Sequence, residues 1–285
     1  MSKNKYEIDM CNGTIMDKLI SFSVPLMLSG ILQLMFNAVD IIVVGRFAGS
    51  QSLAAVGSTT ALINMFVNLF IGVSLGANVL AARFYASGKH KEMSETVHTA
   101  ITFAAISGVV MALIGVLMAK PALELMGTPD DVINLSTLYM RIYFLGMPFF
   151  MLYNYGAAVL RAVGDTKRPL IFLIAAGIIN ACLNMVLVIV FNLGVAGVAI
   201  ATIFSQFISC VLVLRCLNKT DASYQLRFSK LKIKGYYLKQ IFQVGIPAGI
   251  QSTVINFSNA LLQSSVNSFG STAMAGYTAA NNILG

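Results

Sequence analysis

Charged residues are scarce in this 285-residue chain, where Asp, Glu, Lys and Arg together make up 11%. Soluble domains contain about a quarter. Hydrophobic residues make up 57% and the mean hydropathy is +0.80. The apolar residues form long blocks rather than the stripes of amphipathic soluble helices. This composition excludes an ordinary soluble domain and predicts an all-α, polytopic membrane protein.

Side chains suited to catalysis or metal binding are also few. The chain has two histidines and four cysteines, and none has metal-site spacing or suggests a disulfide. His90 and His98 flank KEMSETV without forming HExxH, and we expect both to be solvated loop residues. The apolar blocks hold no nucleophile–base pair and no set of metal ligands. We therefore expect no enzyme, no metal and no cofactor other than an ion gradient.

Apolar runs of about 20 residues, the length that crosses a bilayer, recur along the chain. Predicted spans 1 to 7 cover 19–45, 53–82, 99–119, 133–160, 169–191, 197–217 and 241–268, and span 8 begins at 271. Span 1 is too long for a cleaved signal peptide. The predicted organisation is a tail (1–18), an N-terminal six-helix lobe (19–217), a basic linker (218–240) and the start of a second lobe (241–285).

Lysine and arginine are distributed unequally between the loops. If the N-terminus is cytoplasmic, 16 of the 19 basic residues fall on the cytoplasmic side, which is a strong positive-inside bias. The net charge of +8 then reflects topology and contact with anionic lipid headgroups, not a nucleic-acid surface. We expect a monomeric, multi-pass protein of the cell membrane.

A weak internal repeat relates spans 1 and 7. FSVPLMLSGILQLMFNA begins at Phe22, and its counterpart VGIPAGIQSTVINFSNA begins at Val244, an offset of 222 residues. The identities pair Pro25 with Pro247, Asn37 with Asn259 and Ala38 with Ala260. Because six spans separate the copies, both have the same orientation, which predicts two parallel six-helix bundles. A complete chain of roughly 440 residues and about 12 helices is expected, so this sequence is interpreted as a truncated one.

Two motifs resemble those of a known family. PLMLSGILQLMFNAVDIIVVGRFAGSQSLAAVG, from Pro25, resembles the first hairpin of the MATE (multidrug and toxic compound extrusion) exporters. LRAVGDTKRPL, from Leu160, is similar to their basic turn after span 4. The resemblance implies a two-lobed antiporter that exchanges organic cations or amphipathic drugs for protons or sodium. A lipid-linked oligosaccharide flippase is the alternative. Several basic residues in the cavity would favour it, because they would bind pyrophosphate. The interiors of the predicted spans hold only Arg141, which argues against a flippase.

Asp40 is the one acidic residue within the predicted spans. An ionised acid at this depth costs several kcal/mol, so it either reaches the interface and pairs with Arg46 or marks an ion path. We favour an ion path, because a carboxyl group in a low dielectric can exchange a proton near working pH. The resemblance implies the same role, since the acid on the first helix of MATE proteins is the coupling acid of the N-terminal lobe.

Polar residues on other spans are candidate partners of Asp40. Asn180 and Asn184 share a helix face at i and i+4, where they could bridge helices or line a wet cavity. Tyr139 is equally suited to an interfacial belt, and a membrane threonine such as Thr202 often bonds its own backbone. The resemblance implies that these four residues and Asp40 form the cation and proton network of the lobe.

Four further positions carry predictions. Some MATE members have an acid where this chain has Asn184, and a single carboxylate favours protons over sodium. Pro25 is a predicted hinge of span 1, or else a static kink. Gly72 and Gly76 have GxxxG spacing and predict close helix packing. Arg141 either reaches outward or balances the charge of Asp40.

Overall fold

The structure, a computed structural model, describes Ile8 and residues 14–284. Most of the predicted tail, with Cys11, lies outside the described residues. The described part is helical and contains no strand. Its α-helices are α1 (Ile15–Val43), α2 (Ser50–Ala86), α3 (His90–Leu125), α4 (Asp130–Leu145), α5 (Met147–Ala162), α6 (Lys167–Met185), α7 (Gly194–Lys219), α8 (Gly235–Asn267) and α9 (Ser271–Leu284).

Several of these helices are long and apolar enough to cross a membrane. Within residues 14–284, five meet that criterion, and six do if α4 and α5 count as one span. Helix α8 has 33 residues but is not among them, because glutamine, serine and asparagine interrupt its apolar sequence. The fold is that of a multi-pass helical membrane protein.

Predicted span 4 is not one helix but two. Helices α4 and α5 meet at Gly146 with a bend of 48°. Pro148 lies in the first turn of α5 and has no backbone N–H to continue the hydrogen bonds of α4. The Gly146 carbonyl instead accepts from the N–H groups of Phe149 and Phe150, both at 3.1 Å. The sequence Gly-Met-Pro therefore bends the span at mid-length.

Two helices end in an unusual way. α1 continues into a π-helical turn at Val44–Ala48, and α6 continues into another at Val186–Val190. These two π-turns contact each other. The hydrophobic pattern gives no sign of them, because a π-turn changes the hydrogen-bond register and not the composition.

The expectation for His98 is wrong. Helix α3 begins at His90, earlier than predicted span 3, so His98 lies inside a helix and is only 4% exposed. His90 is exposed, as expected, but it begins α3 and does not lie in a loop. Between α7 and α8, residues 220–234 contain no α-helix and one 3-10 turn, Phe228–Lys230. We call residues 220–234 the linker segment.

Helix α2 lies at the centre of the packing and contacts α3, α4, α5, α8 and α9. Its contact with α8 is a backbone contact. A Cβ atom on Gly72 would overlap the backbone of Gly249, and one on Gly76 would lie 2.8 Å from the backbone nitrogen of Gly245. The close packing predicted for the GxxxG pair is therefore present, and a second GxxxG pair on α8 completes it.

Candidate functional site

Helices α1 and α6 bring two predicted site residues into contact. The Asn184 side chain donates a hydrogen bond from Nδ2 to Oδ1 of Asp40. Asn184 is fully buried. The ring of Phe36, one turn before Asp40, packs directly on Gly177 of α6, where any side chain would collide with it. The glycine lets α1 approach α6 closely enough for this hydrogen bond to form.

The hydrogen bonds continue from α6 to α7. Asn184 Nδ2 also donates to Oδ1 of Asn180 (3.2 Å), and Asn180 Nδ2 donates to Oγ1 of Thr202 (3.5 Å). Thr202 Oγ1 in turn donates to the Val198 carbonyl (3.0 Å). Thr202 thus makes the backbone bond typical of membrane threonines and also accepts from Asn180. Asp40, Asn184, Asn180 and Thr202 form a continuous chain across three helices, which we call the polar chain.

Tyr139 is buried inside the bundle rather than placed in a surface belt, since only 7% of it is exposed. Its ring lies 6.2 Å from that of Tyr143, between centroids. Tyr143 lines a small cavity together with Thr202, the last member of the polar chain. None of the hydrogen bonds of the described residues joins Tyr139 to the polar chain. Tyr139 is a neighbour of the chain, not a link in it.

Neither candidate cation pairs with Asp40. The ion pairs in the described part of the chain are Lys120–Glu124, Arg168–Asp165 and Lys234–Glu95. Arg46 is exposed beyond the end of α1. Arg141 is exposed and donates from Nε to the Val116 carbonyl of α3 (3.3 Å). The contact that stabilises Asp40 is therefore the neutral amide of Asn184.

The polar chain leaves acceptor capacity unused. Within residues 14–284, Oδ1 of Asn184 is buried and has no hydrogen-bond partner. Buried polar atoms are seldom left unpaired. Oδ1 is therefore suited to accept a bond from a protonated group or to contact a cation. The same residues contain no cluster of three His, Cys, Asp or Glu side chains that could hold a metal ion.

Sequence reasoning missed three features near the polar chain. The bend at Gly146 could have been found from the Gly-Met-Pro sequence. The π-turns, which follow closely after Asp40 and Asn184, leave no such signal, although π-turns often mark functional sites. Gln206 lies one turn after Thr202 and, with Tyr143, lines a small cavity with room for about one water molecule.

Pro25 lies inside α1 and is buried there. Ser29 Oγ donates to the Pro25 carbonyl at 2.8 Å. The helix continues on both sides of the proline, from Ile15 to Val43. The predicted hinge therefore lies within an unbroken helix, and its movement remains a prediction.

Membrane-length helices with a hydrogen-bonded carboxyl group between them define a multi-pass membrane protein with an ionisable group in its interior. A family model with the description MatE matches residues 25–186, which is more than half of the chain. The chain belongs to this family, the MATE efflux transporters.

Relatives and solved structures agree with the family match. The chain is 34% identical over 271 residues to the probable multidrug resistance protein YoeA of Bacillus subtilis (strain 168), covering 92% of this chain and 58% of YoeA. It is 28% identical over 276 residues to the probable multidrug resistance protein YpnP of the same strain, covering 96% of this chain and 61% of YpnP. The chain thus spans about three fifths of these curated relatives.

Among solved structures, the inward-facing conformation of a multidrug resistance MATE family transporter of the MOP superfamily matches with a TM-score of 0.83. The sequence identity is 23%, and the match covers 93% of this chain and 61% of that chain. At this identity the likeness establishes the fold alone.

Proposed function

We propose that the whole protein is a secondary active multidrug exporter of the cell membrane. It moves organic cations or amphipathic drugs outward in exchange for protons, with its N-terminus in the cytoplasm. The observation that carries the proposal is the position of Asp40, a half-buried acid between α1 and α6 that accepts a hydrogen bond from a neutral amide. YoeA and YpnP, which are named as probable multidrug resistance proteins, support drugs as the substrate class.

The chemistry of the polar chain suits proton exchange. Asn184 can donate to Asp40 whether the acid is ionised or neutral, because a protonated carboxyl group keeps an oxygen that accepts. The chain therefore tolerates both charge states. The ionised state attracts a cationic substrate or a proton, and the protonated state attracts neither. Competition for this one acid is the simplest way to couple proton entry to drug exit.

The packing of α1 suits a movement of this helix when Asp40 changes charge. Of all its residues only Pro25 and Val43 are buried. Few side chains of the described residues pack on α1, so the proposed shift of α1 when Asp40 gains or loses a proton breaks few contacts within this part of the protein. Pro25, which removes one hydrogen bond from the helix, is the proposed hinge.

Protons are favoured over sodium at this site. Sodium is a hard cation that prefers anionic oxygen ligands. The polar chain offers one carboxylate, and its other oxygens belong to amides and a hydroxyl group. A proton needs only the carboxylate.

The test is transport by the full-length protein in sealed vesicles, followed with a fluorescent organic cation. A proton gradient and a sodium gradient are imposed separately. The proposal predicts transport driven by the proton gradient alone. Transport driven only by sodium would contradict the ion assignment, and absence of transport under either gradient for several organic cations and amphipathic drugs would contradict the exporter assignment.

A further inference from the structure

His98 binds the linker segment to α3 through both of its ring nitrogens. Nδ1 lies 2.6 Å from the Ser94 carbonyl oxygen, an acceptor only, so Nδ1 carries the hydrogen and donates. Nε2 lies 3.1 Å from the backbone N–H of Arg227 and accepts from it. These two bonds fix one neutral tautomer of the imidazole. A protonated His98, with hydrogens on both nitrogens, has no lone pair left for Arg227.

Two other contacts hold the linker segment near the same place. Thr99 Oγ1 donates to the Lys232 carbonyl (3.5 Å) and accepts from the Lys234 N–H (3.3 Å). The Lys234 ammonium group pairs with the carboxylate of Glu95. Together with His98, these contacts tie the linker segment to the first half of α3, just before α8 begins.

The linker segment also has a buried interior of its own. Tyr224 and Leu226 are fully buried, and the Tyr224 ring packs at 6.4 Å from Tyr85 of α2, between centroids. The Leu226 N–H donates to the Leu217 carbonyl of α7 (2.9 Å). The bond from Arg227 to His98 follows directly after this buried part. Breaking it loosens the linker segment around Arg227, while the Tyr224 end and Lys234 stay held by their own contacts.

Charged and titratable groups lie on all of the elements that meet near His98. They are Lys91, Glu92 and Glu95 of α3, Arg83 and Tyr85 of α2, Tyr224, Arg227, Lys232 and Lys234 of the linker segment, and Tyr237 of α8. Glu95 is already paired with Lys234. Among the described hydrogen bonds, the Arg227 N–H has no acceptor other than Nε2 of His98.

We propose that His98 is a pH-sensitive latch, which holds the linker segment against α3 while neutral and releases it when protonated. Histidine is the side chain that ordinarily changes charge between about pH 5 and pH 8. The latch lies on the face predicted to be cytoplasmic, so it responds to acidification of that compartment. The linker segment joins α7 to α8, so the latch connects acidification to the junction between the two predicted lobes.

The experiment measures hydrogen–deuterium exchange of the linker backbone in the full-length protein, at about pH 8 and about pH 5.5, on either side of ordinary histidine titration. Protection factors, corrected for the intrinsic pH dependence of exchange, are compared between the two conditions. For the wild type we expect protection of residues 227–231 to fall about tenfold or more at low pH, because the hydrogen bond from Arg227 to His98 is lost.

Two variants make the test specific. His98→Gln keeps a side-chain oxygen that can accept from Arg227 and does not titrate, so its linker protection should not change with pH. His90→Gln removes the exposed histidine of the same helix and should retain the wild-type response. Unchanged wild-type protection at low pH would overturn the latch even if His98→Gln fails to fold. So would a wild-type response in His98→Gln. Because exchange is measured without transport, the result is independent of the proposed exporter function.

Discussion

Helices α1 and α8 are counterparts in the predicted internal repeat, but they contact the rest of the described chain in different ways. Helix α8 crosses α2 through glycines on both helices, with backbone against backbone at Gly72 and Gly249. Helix α1 buries only two residues and approaches α6 through the ring of Phe36 on Gly177. Both copies of the repeat thus keep the helix and its proline, but they pack against their neighbouring helices differently.

The two helices also differ in charge, because only α1 carries an acid at the compared position. Asp40 lies on α1, and at the repeat offset the corresponding position on α8 is Leu262, which is 57% exposed. Leu262 lies 13 positions after Gly249, away from the tight crossing. The difference between α1 and α8 teaches that, within the described residues, one copy of the repeated helix is held by backbone contact and the other carries the acid and is held by side chains.

The largest expected effect comes from breaking the tight contact. In Gly72→Ala the new Cβ atom would overlap the Gly249 backbone, so α2 and α8 must separate. Overpacking of this kind costs about 1–3 kcal/mol and occasionally more. We expect a marked fall in the thermal unfolding temperature and in the yield of folded protein.

The matched control is Gly30→Ala on α1, where a Cβ atom meets nothing within 4 Å. Because alanine is a better helix former than glycine, this variant should be as stable as the wild type or slightly more so. Equal destabilisation by both substitutions would show that the two helices are packed alike.

The second prediction concerns the polar chain at Asn184. In Asn184→Leu, Asp40 loses its hydrogen-bond donor, and a half-buried acid without a partner is costly. We expect proton-driven transport to be lost. In Asn184→Asp, a second carboxylate joins the first, and a two-carboxylate site favours a hard cation. The expected result is a new sodium dependence of transport, and an unchanged ion preference would contradict the role given to Asn184.

The polar residues of this chain were predictable, but their geometry was not. Composition and apolar run length identify the helices, because a membrane imposes a length and excludes charge. The same rule singles out Asp40. That Asn184 donates to Asp40 depends on α1 meeting α6 at Gly177, a contact between residues far apart in sequence that no local pattern encodes.

The burial of His98 was also not predictable from the local sequence. Its neighbours in the sequence are polar, so a solvated loop was the natural expectation. It is buried because the linker segment folds over it through Arg227, 129 positions later. Burial of this kind is tertiary and cannot be read from local sequence, whereas the bend at Gly146 has a local signal in the following Pro148.

The third prediction, with the smallest effect, removes a side-chain contact of α1. Phe36→Ala deletes the half-buried ring that rests on Gly177, and we expect a loss of about 1 kcal/mol, well below the 3–5 kcal/mol of a fully buried phenylalanine. Transport should weaken more than folding does, because α1 is then poorly placed for Asp40 to reach Asn184. Thermal unfolding and transport are measured on the same preparation. Met35→Ala, at a position 56% exposed, is the control and should change neither.

The most direct test of the account is Asp40→Asn in the full-length protein, assayed for substrate binding and for proton-driven efflux. The substitution fixes the neutral state with little change of shape, and a neutral amide is less costly to bury than an ionised acid. The protein should therefore insert and fold normally and still bind substrate to some degree.

The account predicts that Asp40→Asn loses proton-driven efflux, and that Asp40→Glu keeps part of it with an altered pH profile, because the acid remains on a longer side chain. If Asp40 were only an interfacial partner of an exposed cation, replacing it would cost at most about 1 kcal/mol and transport would continue. Near-normal proton-driven efflux by a well-folded Asp40→Asn protein would contradict the coupling role of Asp40.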